Sequence, residues 1–188
     1  LLTPECMNDS ARRNVQVRDM LYFCKRGIVP IANINDAQRL HAKDRLRRKY
    51  SSNDVTAGEI AISLGDISGS APLLALLGAV TGFMADKESL PEAESDEEGK
   101  HPHLIRIVRS QRGIESQISE DLTSPKGTGG MAAKLDAIGR ISKYKITTVI
   151  APGMLYSRGN IRQQCWPLIA LIQENVVGTT FVPYSGGN

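Results

Sequence analysis

The chain has 188 residues, 41% hydrophobic and 23% charged, which is a globular composition. It is long enough to bury a core without metal or disulfide staples, and too short for three domains. Lys+Arg 23 against Asp+Glu 20 leaves a net charge of +3, too little to imply a nucleic-acid partner. The longest apolar stretch, PLLALLGAV at 72–80, falls far short of a membrane span, so no membrane partner is expected. Three cysteines (Cys6, Cys24, Cys165) form no C-x-x-C pair, and three histidines (His41, His101, His103) lack zinc spacing. These counts predict reduced thiols in a cytoplasmic protein without a metal site of its own. The opening LLTPECMND has neither the basic nor the apolar region of a signal peptide.

In chain order, residues 9–27 read as an amphipathic helix. Asp9 or Ser10 can cap it, Val17, Met20, Leu21 and Cys24 recur at helical spacing, and Gly27 suits the C′ position. Ile28–Ala32 (IVPIA) reads as a strand ending in the polar turn Asn33, Asn35, Asp36, the place where open α/β sheets put their ligands. Residues 38–58 form a basic insertion carrying Arg39, Lys43, Arg45, Arg47, Arg48 and Lys49. With Tyr50 as the one aromatic beside it, a solvated surface is expected there rather than nucleic-acid binding.

Ile60–Leu64 (IAISL) reads as a second strand ending at Gly65-Asp66, followed by a helix from Pro72 through Leu77 and a weak strand over Val80–Ala85 ending at Asp86. Residues 87–103 form an acidic loop without the ladder of a calcium site. Leu104–Val108 is a strand, and SPKGTGGMAAK at 124–134 leads into a helix with Met131, Leu135, Ile138 and Ile141 on one face. Ile146–Ala151 (ITTVIA) is a strand, Asn160–Glu174 a helix and Val176–Val182 (VVGTTFV) a last strand. Strands alternating with helices predict a single α/β domain over 1–188, with a parallel or mixed sheet covered on both faces.

The segment Gly127-Thr128-Gly129-Gly130 carries the chemistry. Glycines let backbone N–H groups approach an anion, and the following helix N-terminus adds unpaired donors and partial positive charge. Lys134, in the first turns of that helix, can reach the same oxygens. A Walker A loop is excluded, because no Lys directly follows the glycine. Residues 127–132 match the dinucleotide pattern G-x-G-x-x-A, but no strand feeds the loop and no acid follows about twenty residues on. A glycine-rich turn beside an exposed lysine remains the alternative to a phosphate loop.

Several separated stretches resemble one family in sequence order. GTGGMAAKL followed by ITTVIAPG resembles the lysine-bearing glycine loop and next strand of glutamate 5-kinases, in the amino-acid kinase superfamily. LLTPECMND, RNVQVRDML, GIVPIANINDA, Leu64-Gly65-Asp66, Asp86 through Leu90 and VVGTTF follow in the family's order. The resemblance implies a three-layer α-β-α sandwich with a mostly parallel sheet. It implies ATP-dependent phosphorylation of the L-glutamate side-chain carboxylate, the first step of proline biosynthesis, by a homo-oligomer using ATP and Mg²⁺.

On the same resemblance, Asp36 binds substrate glutamate beside Asn33 and Asn35. Asp86 and the run Gly127, Thr128, Gly129, Gly130, Met131, Ala132, Ala133 and Lys134 bind nucleotide, with Lys134 and Asp66 in catalytic roles. Such chemistry rests on positioning and positive charge more than on covalent catalysis. The chain departs from the family at Gly65-Asp66-Ile67-Ser68, where members carry G-D-N-D. The Asn of that motif contacts substrate, and its second Asp organises catalytic lysines. Counterparts of the family's first third, with its opening strand, glycine turn, phosphate-binding lysine and glutamate-contacting serine, are also missing. A non-catalytic nucleotide-binding or regulatory relative, or a kinase for another small acid, is therefore the competing expectation.

Overall fold

The computed structural model describes residues 2–33, 52–78, 82–84, 93–95, 104–109, 130–153 and 178–183. They fall into two compact units, one helical, spanning 1–72 with 123–146, and one built on a sheet, spanning 73–122 with 147–188.

In the helical unit, α1 (Pro4–Asn8) and α2 (Ser10–Cys24) follow each other through Asp9. The Asp9 carboxylate accepts from the N–H groups of Ala11 and Arg12 at 3.0 and 3.1 Å, capping α2 as expected. At the far end Gly27 has φ +74°, its N–H bonds the Cys24 carbonyl, and the Ile28 N–H reaches back to Phe23 at 3.1 Å. This is a Schellman closure, and it explains why the helical pattern stops at a glycine. The strand expected at Ile28–Ala32 is absent: these residues continue without regular structure, and Ile31 is 98% exposed. Pro30 removes one ladder donor, and no described strand lies beside the segment to satisfy the others.

The next helix, α3 (Asn53–Ser68), corrects two expectations. It starts inside the segment read as a basic insertion, and it absorbs IAISL, read as a strand. Ser52 caps it by accepting from the Asp54 N–H at 3.1 Å, and Gly69 closes it in the left-handed conformation. Burial recurs at Val55, Gly58 and Ile62, the spacing of one helix face. A short apolar run flanked by glycines fits strand or helix equally well, and here the caps decide. Then α4 (Met131–Ile141) follows as expected, with Met131, Leu135, Ile138 and Ile141 all buried, and ends in a 3₁₀ turn over Ser142–Tyr144. It packs closely on α3: a Cβ at Gly58 would lie 3.1 Å from Ile141 Cγ2.

The second unit holds β1 (Leu73–Gly78), β2 (Ala93–Ser95), β3 (Ile105–Val108), β4 (Thr147–Pro152) and β5 (Thr179–Phe181), in the order β1-β4-β5-β3-β2. The β1–β4 and β3–β5 pairs are parallel, while β4–β5 and β2–β3 are antiparallel. The described sheet is thus mixed rather than mostly parallel. Of residues 72–77, expected to be helical, 73–77 belong to β1 instead. Leu74 and Leu76 are buried while Leu73 and Leu77 are exposed, and six residues pair in register with β4. Of the expected strand over Val80–Ala85, residues 82–84 are described, and they make a single bridge from Met84 to Leu104. The acidic loop contains β2, and the remaining acidic positions of 87–103 lie outside the described residues, as does the helix expected over 160–174.

Core residues Phe83, Leu104, Ile105, Ile150 and Phe181 are fully buried or nearly so, with the Phe83 and Phe181 rings 6.2 Å apart. Thr179 ties this core together. Its hydroxyl accepts from the Phe83 N–H at 2.7 Å and donates to the Ile105 carbonyl at 2.5 Å. Thr179→Val keeps the shape and removes both bonds, stranding a buried N–H. A loss of about 1–3 kcal/mol in urea unfolding is expected, and an unchanged midpoint would show the threonine to be dispensable.

Candidate functional site: the Lys134–Asp54 pair at the start of two helices

The start of α4 is built as the sequence predicted. Gly130 occupies the N-cap with φ −47° and ψ −170°, and among the described residues no side chain caps the helix. Its carbonyl accepts from the N–H groups of Ala133 and Lys134 at 3.1 and 3.4 Å. Among the first-turn residues Met131 faces the core, Ala132 belongs to the same turn, and Ala133 is half-buried. An N-terminus without a side-chain cap leaves backbone donors and partial positive charge free for an anion.

Lys134 is not the exposed lysine of a plain turn. Its ammonium donates to both oxygens of Asp54, at 3.0 and 3.1 Å, and the two side chains retain only 11% and 17% of their accessible surface. The Asp54 carboxylate also accepts from the Ser52 hydroxyl at 3.4 Å and sits in the first turn of α3, where the helix dipole favours negative charge. An ammonium carries three donors, so the pair leaves Lys134 capacity for a further acceptor. The result is a fixed, shielded ammonium, charge-balanced by Asp54, next to the N-terminus of α4. Its remaining donor can bond a phosphate oxygen.

Asp54 was not among the residues singled out from the sequence, although Ser52-Asn53-Asp54 ahead of a helical pattern is an N-cap signature that marks it. Its letters also repeat the last two of the G-D-N-D motif. Asp66, taken from the sequence as the matching acid, is exposed in the last turn of the same α3. The departures at Ile67 and Ser68 therefore concern the far end of that helix, away from the residue that meets Lys134. Asn33 is exposed beyond the end of α2. Asn35, Asp36, Asp86, Gly127, Thr128 and Gly129 lie outside the described residues. Among the described residues no group of three His, Cys, Asp or Glu side chains converges as a metal site would require, and no helix is long and apolar enough to cross a membrane.

A glutamate 5-kinase of Treponema pallidum (strain Nichols) is 32% identical over 196 residues, covering 98% of this chain and 58% of that protein. The chain is a divergent relative of the glutamate 5-kinases. Members from Trichlorobacter lovleyi and Aliivibrio salmonicida are each 29% identical, over 100% and 93% of this chain and 43% and 40% of their own lengths. The chain thus spans about half the length, or less, of these relatives. No family model matches it.

Proposed function

We propose that this chain binds the phosphates of ATP at the start of α4 and serves the phosphorylation of the L-glutamate side-chain carboxylate. The observation that carries the reading is the buried Lys134, paired bidentately with Asp54 next to the N-terminus of α4. Lys134 would neutralise charge on the transferring phosphoryl group, with backbone N–H groups of Gly127 through Ala132 cradling its neighbours and Ala133 lining the same turn. Asp54 would hold the lysine in place, the part that the second Asp of G-D-N-D plays in the family. Asn33, Asn35 and Asp36 would receive glutamate, and Asp86 the nucleotide. Mg²⁺ would arrive on the nucleotide phosphates. The relatives' name supports the acceptor, and with it a place in proline biosynthesis; the active protein would be a homo-oligomer.

Calorimetric titration of the chain with Mg-ADP, beside Lys134→Ala, tests this reading. Saturable binding weakened roughly 10-fold or more by the substitution is expected, the worth of one charge-assisted contact. Equal affinity of the two folded proteins would remove Lys134 from the nucleotide site. Glutamate-dependent ATP turnover is the second measurement, and turnover that vanishes in Lys134→Ala would exclude the nucleotide-binding, non-catalytic relative.

A further inference from the structure

Arg13 is a buried guanidinium that the proposed chemistry does not use. From α2 its Nε donates to Ser63 Oγ at 2.8 Å, while Nη1 donates to the Met7 carbonyl at 2.5 Å and meets Glu59 Oε2 at 3.1 Å. One side chain thus grips α1 and two successive turns of α3. The opposite relationship holds on the other flank of α3, where Asp54 meets Lys134 and Gly58 meets Ile141 and Ala137, both contacts with α4. Positions 54 and 58 face α4, and positions 59 and 63, one turn apart, face α2.

A buried ion pair adds little to stability that apolar residues of similar volume could not supply, and its best-attested use is to fix register. Only a guanidinium offers donors in a rigid fork; a lysine ammonium would serve Glu59 or Ser63 without fixing both. We infer that Arg13 is a positioning residue, which sets the axial position of α3 through Glu59 and Ser63 and thereby holds the Asp54 carboxylate against Lys134. The inference concerns the pair itself and goes beyond the nucleotide reading, so it stands or falls separately from nucleotide binding.

The test is a double-mutant cycle on stability between Asp54→Ala and Lys134→Met, run in the 188-residue chain with Arg13 and again with Arg13→Met. The Asp54–Lys134 coupling constant is expected to fall roughly 10-fold once Arg13 is gone, the size of one charge-assisted contact. Arg13→Met/Glu59→Leu is expected to recover stability without recovering the coupling, a separation that a merely structural role would not produce. Full coupling in Arg13→Met, or its full rescue by Arg13→Lys, would overturn the inference. Where Arg13→Met does not fold, Ser63→Ala removes the Nε contact alone, and an unchanged coupling there would overturn it equally.

Discussion

Asp54→Ala is expected to destabilise the chain by about 2–4 kcal/mol, more than Lys134→Met does, and added phosphate is expected to recover part of the loss. The asymmetry comes from what each change leaves behind. Removing Asp54 leaves an ammonium that is 11% accessible without the carboxylate that neutralises it. Removing Lys134 leaves a carboxylate that keeps the Ser52 hydroxyl and the positive end of α3. In Asp54→Ala an anion at the start of α4 takes over the carboxylate's role, and binding to the folded state alone adds about 2.7 kcal/mol at 100 times the dissociation constant. Thermal unfolding with inorganic phosphate and with Mg-ADP measures this. The gain should exceed that of the unmodified chain, where Lys134 is shared with Asp54, and should vanish in Asp54→Ala/Lys134→Met. Equal gains in chains with and without Lys134 would place anion binding elsewhere.

The Lys134 half of this pair was legible in the sequence and the Asp54 half was not, for physical reasons. A glycine run opening a helix with a face of Met131, Leu135, Ile138 and Ile141 states its own geometry, because phase and N-terminus are both local properties. Likewise Asp9 and Gly27 delimit α2 by capping chemistry written in the residues themselves. IAISL and LLALL carry no such local statement. Each is a short apolar run, and what makes one a helix and the other a strand lies outside it. For IAISL it is the Ser52 and Gly69 caps at some remove; for LLALL it is β4, which is distant in sequence. Taken as a strand, IAISL makes Asp66 its polar end and leaves Asp54 in a basic surface. The acid that meets Lys134 could then be found only through the packing of α3 on α4. Which strands of the sheet run antiparallel was hidden for the same reason, since strand direction is decided by pairing between residues that do not adjoin in the chain.

Gly178→Ala is expected to be the most damaging single methyl in the described structure. Gly178 opens the turn into β5 with φ +72°, a conformation that costs an L-residue about 1–2 kcal/mol. A Cβ there would also run into the Ile150 carbonyl oxygen and come within 2.9 Å of Ala151 Cα. Both obstacles belong to the backbone of β4, which is held on its other side by six registered residues of β1, so neither can step aside cheaply. Overpacking of this kind adds about 1–3 kcal/mol, for a total of roughly 2–5 kcal/mol, a large part of what holds a small domain folded. Gly27 supplies the control. Its φ of +74° is nearly the same, yet a Cβ there meets nothing within 4 Å, so Gly27→Ala is expected to cost only about 1 kcal/mol. Urea unfolding of the two variants side by side separates conformational strain from steric conflict. Equal losses would mean that β5 can move away from β4 without penalty. A much larger loss at Gly178 would give a physical reason for the glycine in VVGTTF: the close approach of β5 to β4 leaves room for nothing else.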